Sequence, residues 1–417
     1  MGNVSFIKPL PEIPTQQLQS RILIVDVLRG FALFGIFYAH MIFWYPGGPL
    51  PEEVYRTNMN IPSGIAIGLY MLFFIGKFFS LFSFLFGLSF YIQMQALAAK
   101  HENVVLRFVW RLAILGVIGL IHHAFWRADI LTIYVPLGFI LLFARNLSNK
   151  LLLILGVAFI LNIPTKIIEA VSILMHGTIE FIPNNFVTDG PKYYAVMNQA
   201  TFAEVVNHNM HAWKEKLDYQ LTSGRLFITF GFFLLGMLAG KQQWFTDIEK
   251  NQELFRKIWK SLGLGLIALA AAGIALAIIA HLLSIDMKNS HWLRWLAGYF
   301  VDGFNSGLTF FYIASICLLM LKPKWNNRFV PLSYIGKMAL TSYLTQTIFG
   351  VLLFFSFGLG LFLKTSPATN IVICCAIFAV QIMFCKYWLK SFNYGPIEWL
   401  WRSATYLKWQ PLSKENP

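Results

Sequence analysis

The sequence predicts an all-α fold, a polytopic bundle of about ten transmembrane helices. Of its 417 residues, 57% are hydrophobic and only 12% are charged, whereas about 25% of a typical soluble domain is charged. Apolar windows of about 20 residues, enough to cross the hydrocarbon core of a bilayer, recur along the chain. They lie at about 22–44, 64–97, 104–125, 129–145, 150–174, 224–244, 259–284, 293–321, 330–357 and 369–389.

Some segments need separate interpretation. The 64–97 window is too long for a perpendicular span, so we expect it to tilt, to break at Gly76 or to begin as an interfacial helix. The hydrophilic connection 175–223 contains HNMHAWKEKLDYQ, whose helical character fits an interfacial helix or a lid. GMLAG at 236–240 is a GxxxG pattern that is typical of close helix packing. The first window has internal charges and no small-residue cleavage site, which predicts a retained span.

The distribution of Lys and Arg predicts the orientation. With ten spans, 19 of these residues lie on the side that holds both termini and five lie on the other, leaving out the long connection. Because Lys and Arg concentrate in cytoplasmic loops, both termini are predicted to be cytoplasmic. The net charge of +14 then reflects this bias and attraction to anionic lipids. No soluble basic domain is present to bind nucleic acid.

These predictions divide the chain into three parts. Residues 1–21 form a cytoplasmic N-terminal segment, residues 22–408 form the transmembrane bundle and residues 409–417 form a cytoplasmic tail. The 175–223 connection belongs to the bundle, as an extracytoplasmic loop or interfacial helix.

The first span carries three ionisable residues, Asp26, Arg29 and His40. Arg29 and His40 are eleven positions apart, so they share one helix face and are separated by about 16 Å along the axis. Asp26 can pair with Arg29 across one turn. One interpretation is structural: Arg29 extends to the headgroups beside Asp26, and His40 bonds to another helix. The other is functional, since ionisable groups within a span tend to face a polar cavity.

Other polar residues in apolar windows add candidates. Lys77 is an anion partner, a substrate contact or a snorkelling residue, and Arg107 and Arg111 are a phosphate clamp or a positive-inside anchor. Gln346 belongs to a polar strip in KMALTSYLTQT, whose side chains either form hydrogen bonds between helices or line a polar cavity. Asp129 begins the fourth window and is a candidate N-cap.

Several other site types are not indicated. The sequence contains no P-loop, no dinucleotide-binding glycine turn and no Ser-His-Asp pattern. The HNMH pair at 208–211 lacks a carboxylate or cysteine to complete a ligand set, so we expect no metal. The four cysteines lie in apolar segments and are interpreted as packing residues.

Five motifs occur in order along nearly the whole chain: VDVLRGFALFGI, KFFSLFSFLFGLSF, RADILTIY, IGKMALTSYLTQT and GPIEWLWRSATY. Together they resemble the bacterial membrane family known as domain of unknown function 418, a distant relative of acyltransferase family 3 and of the heparan-alpha-glucosaminide N-acetyltransferases. The resemblance implies a multi-pass protein of the bacterial cytoplasmic (inner) membrane. It also implies transfer of an acyl group, with acetyl-CoA or another acyl-CoA as the cytoplasmic donor.

The resemblance also bears on individual residues. In acyltransferase family 3 an arginine is followed, after ten intervening residues, by a catalytic histidine, and Arg29 and His40 have this spacing. Many members of the 418 family have asparagine at the second position, so this sequence departs toward the catalytic pattern. Histidine suits a general base because its pKa lies near operating pH.

Roles for the remaining candidates follow from this chemistry. Arg29, Arg107 and Arg111 would bind CoA phosphates. Asp26 would orient Arg29, and Lys77 or Gln346 would stabilise the oxyanion.

Two other classes of function stay open. A transporter or flippase would use the same buried ions as a substrate or proton path, and a membrane scaffold would tolerate loss of His40. The expected partners are membrane lipids and an acceptor, which is a glycan, a lipid headgroup or a small amine. A homodimer is compatible with the sequence.

Overall fold

A computed structural model describes residues 22–47, 60–99, 103–179, 190–285 and 290–414. The predicted 1–21 segment, residues 180–189 of the long connection and residues 415–417 of the tail lie outside the described residues. The described chain is built from helices and contains no named strand, which confirms the predicted all-α class.

The helices are numbered in chain order. They are α1 Leu23–Ala39, α2 Ile61–Leu69, α3 Phe78–Ala98, α4 Val104–Phe125, α5 Leu131–Ala144, α6 Asn149–Ile160, α7 Ile163–His176, α8 Gly190–Gln199, α9 Phe202–His211, α10 Trp213–Thr222, α11 Arg225–Lys241, α12 Gln252–Leu282, α13 His291–Met320, α14 Pro323–Lys337, α15 Ala339–Phe354, α16 Pro367–Ser391 and α17 Pro396–Tyr406. Two π-helical turns, His40–Trp44 and Tyr70–Phe74, continue α1 and α2.

Each predicted window contains an apolar helix. By length and composition, six helical segments in the described chain are long and apolar enough to cross a membrane. Two bent pairs, α6 with α7 at 49° and α10 with α11 at 69°, bring the number to as many as eight. The apolar helices α5 and α15 are shorter.

Two windows predicted as single spans are interrupted, so these predictions were wrong in detail. The 330–357 window divides at Met338, between the polar α14 and the apolar α15. The 150–174 window bends at Asn162, whose φ of 56° ends the α6 geometry. The 64–97 window breaks at Gly76, one of the three alternatives, because Gly76 adopts a φ of +79° that favours glycine.

Close backbone contacts hold the centre of the bundle. A Cβ at Gly336 of α14 would overlap the Asp26 carbonyl oxygen of α1, so these helices approach at backbone distance. A Cβ at Gly236 would likewise overlap the Phe84 carbonyl oxygen, which confirms the packing interpretation of GMLAG. By contrast, most of α12 is exposed, with Phe255 as one of its few buried residues.

Candidate functional site

Among the cavities that the described residues form along α1 and the π turn that continues it, one lies beside Arg29 and another beside His40. The Arg29 cavity has a volume of about 240 Å³, and its charged lining residues are Arg29, Arg111, Lys337 and Glu398. The His40 cavity has a volume of about 330 Å³, and its ionisable lining residues other than tyrosine are His40, Arg127, Asp129, Lys216 and Arg225. Tyr343 of α15 lines both cavities and therefore lies between them.

Arg29 is held by contacts from two helices. Its Nη1 donates to Asp26 Oδ1 at 2.7 Å, one turn earlier on α1, and its Nη2 donates to Ser89 Oγ of α3 at 2.6 Å. The Arg29 side chain is 23% exposed, whereas that of Asp26 is 1% exposed. The predicted pairing of Asp26 with Arg29 is therefore present, and it fixes the guanidinium at the cavity wall.

The opposite wall of the Arg29 cavity is built by two of the sequence motifs. Arg111 of α4 stacks on the Trp401 ring of α17 at 3.7 Å, and Trp401 Nε1 donates to the Arg111 carbonyl oxygen. Glu398 of α17 accepts hydrogen bonds from the backbone N–H groups of Leu340 and Thr341 at 2.6 and 3.0 Å. These contacts cap the first turn of α15.

The Glu398 carboxyl is nearly enclosed by these contacts. Burial raises its pKa above the ordinary value, while hydrogen bonds from Thr341 and from the Leu340 backbone act in the opposite direction. GPIEW is thus a structural motif that anchors the start of KMALTSYLTQT.

Apolar side chains form most of the remaining wall of the Arg29 cavity. They come from α3, α4 and α5 and include Phe82, Leu85, Phe86, Phe90, Leu112 and Leu115. The cavity therefore combines cationic groups with an apolar channel, a combination that suits a ligand with an anionic end and an extended uncharged part.

His40 begins a π-helical turn, a feature that is frequent at functional sites. Its half-buried imidazole lies edge-on to Tyr45 and Trp126, with ring centroids 5.4 and 5.9 Å away. Across the described residues no hydrogen bond engages either imidazole nitrogen. The second π turn, Tyr70–Phe74, borders the same cavity and stacks Phe74 on Tyr38 of α1.

Beside the His40 cavity lies a buried chain of hydrogen bonds. Asp129 Oδ1 is 2.6 Å from His122 Nδ1, and His122 Nε2 is 2.8 Å from Thr347 Oγ1. Tyr45 Oη donates to the same Thr347 oxygen at 3.2 Å. All four side chains are buried, so both nitrogens of His122 are committed to partners within the protein.

Asp129 lies in the connection between α4 and α5 and has three functions there. Its carboxylate accepts hydrogen bonds from the backbone N–H groups of Leu131 and Thr132 in the first turn of α5, although Ile130, and not Asp129 as predicted, occupies the N-cap position. It also binds His122, and Lys216 Nζ of α10 lies 3.9 Å away. Burial alone would raise the pKa of Asp129, but the His122 and Lys216 contacts outweigh this and lower it to about 2.

Three cations complete the His40 cavity. Lys216 Nζ donates to Thr132 Oγ1 at 2.6 Å and lies 3.2 Å from His123 Nδ1. Arg127 stacks at 3.6 Å on Tyr193, from the α8 part of the long connection. Arg225, the first residue of α11, stacks on Phe79 at 3.9 Å and donates to Tyr219 Oη at 3.2 Å.

The predicted site residues are thus divided between the cavities, and some belong to neither lining. Lys77 is buried and donates to the Met71 carbonyl oxygen of the second π turn. Gln346 is buried against Gln381 of α16. The oxyanion role predicted for Lys77 and Gln346 therefore has no support from their positions.

Arg107 also lies apart from the Arg29 cavity lining. It donates to the Thr405 carbonyl oxygen at 3.0 Å and packs over Tyr406 of α17. It therefore anchors α17 to α4, whereas Arg111 lines the cavity.

The sequence interpretation missed Lys216 and Arg225, and it did not join His122 to Asp129. Lys216 is carried by the helical part of the 175–223 connection, the segment predicted as an interfacial helix or lid. The seven-residue spacing of His122 and Asp129 across a helix end was the available signal. Within the described ranges no group of three His, Cys, Asp or Glu residues could hold a metal ion.

The fold and these cavities define a polytopic membrane protein with buried ions at its centre. A family model described as "Protein of unknown function (DUF418)" matches residues 239–408. The chain is 32% identical to "Uncharacterized protein YxaH" of Bacillus subtilis (strain 168), over 95% of this chain and 97% of that protein. The protein therefore belongs to the DUF418 family.

Two further relatives are more distant. "Uncharacterized 39.9 kDa protein in amylase 3'region" of Bacillus acidopullulyticus is 24% identical over 95% of this chain and 96% of its own length. "Uncharacterized protein YeiB" of Escherichia coli (strain K12) is 26% identical over 79% of this chain and 81% of its own. No solved structure matches the chain.

Proposed function

We propose that this protein is an integral membrane acyltransferase that moves an acyl group, such as acetyl, from acyl-CoA to a hydroxyl or amine acceptor. One observation carries the proposal. Along α1 and the π turn that continues it, an ion-paired arginine lines one cavity and a histidine with no hydrogen-bond partner among the described residues lines another, with Tyr343 between the two.

The Arg29 cavity is the proposed donor site. Arg29, Arg111 and Lys337 provide positive charge for the anionic end of acyl-CoA, and arginine can bind phosphate through two parallel hydrogen bonds. The Lys and Arg bias predicts that this end of α1 faces the cytoplasm, where acyl-CoA is found. The phenylalanine and leucine wall suits the pantetheine arm.

The His40 cavity is the proposed site of reaction. The acceptor O–H or N–H group gives its proton to His40 as the acceptor atom attacks the thioester carbonyl carbon. The carbon–sulfur bond then breaks, the acyl group stays on the acceptor and the proton passes from His40 to the CoA thiolate. Lys216 contributes positive charge near the developing oxyanion, in place of Lys77 and Gln346.

His40 suits the role of base better than His122. A general base must reach the proton that it removes, and the His40 imidazole lines the cavity without a hydrogen-bond partner in the described chain. The His122 nitrogens are already bonded to Asp129 and Thr347. We therefore assign His122 a structural role.

The test is CoA release from acetyl-CoA by the purified protein in lipid nanodiscs, with an extract of envelope acceptors. We expect acceptor-dependent release that falls by about 10² to 10⁴-fold in His40→Ala, since this is the usual contribution of a general base. His281→Ala is the matched control because His281 is exposed at the end of α12. Equal release from wild type and His40→Ala would contradict the proposal, as would the absence of any thermal shift with acetyl-CoA.

Transport is the second candidate function. Two helix pairs are bent, at 49° and 69°, and broken helices are common in transporters. A transporter would bind a ligand in the His40 cavity without consuming acyl-CoA. Substrate uptake into liposomes with no CoA release would favour this candidate.

A further inference from the structure

We propose that the acceptor is a hydroxyl compound that carries a phosphate ester, such as a polyol or sugar phosphate, either free or as a lipid headgroup. This inference rests on the proposed function, because it names the substrate class of the same His40 cavity. The observations are the charge balance of that cavity and the position of Arg225.

Among the described lining residues of this cavity, cationic side chains outnumber carboxylates. Arg127, Lys216 and Arg225 face it with a single carboxylate, that of Asp129, among its described lining residues. Asp129 is already engaged by His122 and by two backbone N–H groups, with Lys216 at 3.9 Å. The negative charge of Asp129 therefore offsets the charge of Lys216 and interacts with His122.

Arg225 has no carboxylate partner among the described residues. It donates to Tyr219 Oη and stacks on Phe79, and both are neutral groups. Asp302 borders a smaller cavity with Arg225, but its carboxylate bonds to Asn162 Nδ2 at 3.4 Å and forms no ion pair with Arg225 in the described chain. A partly buried guanidinium without a carboxylate is a suitable partner for an anionic ligand.

The geometry favours a small anionic polyol. His40 and Arg225 line one cavity of about 330 Å³, so a hydroxyl at His40 and a phosphate at Arg225 must belong to one compact group. The aromatic residues Trp44, Tyr70 and Tyr219 supply walls for the carbon skeleton. Phosphate matches the planar fork of arginine, which binds it through two hydrogen bonds.

The test compares matched acceptors in phosphatidylcholine nanodiscs with acetyl-CoA. Glycerol 1-phosphate is paired with glycerol, and phosphatidylglycerol with a neutral glucosyl-diacylglycerol. We expect faster CoA release with the phosphate-bearing member of one pair, and that pair identifies the free or the lipid-bound source. Arg225→Gln should lower kcat/KM for this acceptor by about 10 to 100-fold, the loss of one charge-assisted contact.

A matched control and a binding measurement complete the experiment. Arg256→Gln makes the same substitution at an exposed residue of α12 that is paired with Glu253, and it should keep the wild-type preference. Thermal unfolding with glycerol 1-phosphate alone measures the anion site without turnover, and stabilisation of wild type but not of Arg225→Gln supports it.

The outcomes separate the two proposals. Two outcomes overturn the present inference but leave the acyltransferase in place, provided that CoA release depends on His40. One is faster release with the neutral acceptors, and the other is an equal loss of release for both members of a pair in Arg225→Gln. Arg225-dependent binding of glycerol 1-phosphate without any consumption of acetyl-CoA overturns the acyltransferase and supports the anion site. The inference is also overturned if the protein shows no preference for the phosphate-bearing acceptors and no Arg225-dependent binding of glycerol 1-phosphate.

Discussion

The two cavities along α1 are assembled in different ways. The ion pair of the Arg29 cavity joins Asp26 and Arg29 across one helical turn, and Arg29 is partly exposed. The ions of the His40 cavity come from segments far apart in sequence, and the Asp129 side chain is fully buried. The first arrangement can be recognised from local spacing, whereas the second depends on the tertiary fold, which brings the buried Asp129 carboxylate to His122 and Lys216.

The largest expected effect is on the His40 side. Asp129→Asn leaves Lys216 buried without its carboxylate, and loss of one member of a buried ion pair costs about 3–5 kcal/mol of stability. Thermal unfolding in detergent measures this, with Glu253→Gln as the control because Glu253 is 61% exposed. Lys216→Met in the same chain should restore part of the stability. A double variant no more stable than Asp129→Asn would show that Lys216 and Asp129 are not coupled.

Acid should act on the same carboxylate. The pKa of Asp129 is about 2 in the folded protein, where the His122 and Lys216 contacts outweigh the opposing effect of burial, and about 3.9 when unfolded. A lowered folded pKa gives stability that is complete above about pH 4 and is lost as the pH falls toward 2, about 2 kcal/mol in all. Unfolding free energies measured from pH 2 to pH 5 should show this slope. If the Asp129→Asn/Lys216→Met variant shows the same dependence of unfolding free energy on pH, that dependence arises from other carboxylates.

On the Arg29 side the expected effect is on binding. Arg29→Gln should raise the KM for acetyl-CoA by about tenfold and change kcat less, because in the proposed donor site the arginine would contact the donor in both ground and transition states. Arg107→Gln should have the smaller effect, since Arg107 bonds to the Thr405 carbonyl oxygen and does not line the cavity. Initial rates against acetyl-CoA concentration give both constants. Equal effects of the two substitutions would remove the distinction drawn between Arg29 and Arg107.

The smallest expected effect tests the boundary between the cavities. Tyr343 is 3% exposed, and its hydroxyl accepts a hydrogen bond from the Ile130 N–H group at 3.3 Å. Tyr343→Ala should join the two cavities and admit water to the thioester, so CoA release without acceptor should rise severalfold. Tyr343→Phe, which keeps the ring, should show little of this increase. Identical hydrolysis in all three proteins would mean that Tyr343 does not separate the sites.

Much of the fold could be predicted from the sequence because the apolar windows are long and the charges within them are few. The interruptions were harder to predict. Asn162 adopts a φ of 56° and Met338 separates two helices, and neither residue is a glycine or a proline, the residue types that most clearly mark a break in a sequence. Gly76 was recognisable because glycine tolerates a positive φ.

The candidate site divides in the same way. The pairing of Asp26 with Arg29 and the shared helix face of Arg29 and His40 follow from helical periodicity within one segment. Lys216 and Arg225 reach the His40 cavity from the end of the long connection and from the start of α11, and no local pattern predicts such an approach. Lys77 lies at the break before α3 and Gln346 lies within the apolar α15, and their side chains donate to the Met71 carbonyl oxygen and to Gln381 Oε1.

The capping of α15 by Glu398 has a consequence for biosynthesis. The Arg29 cavity includes residues of the first described helix, yet its wall is completed by α17, which follows Arg29 by more than 360 residues. A ribosome adds about 5–20 residues each second, so the nascent protein exists for many seconds with Arg29 in place and α17 still missing. A premature stop codon near residue 395 would therefore remove a cavity wall from a chain whose earlier helices are complete.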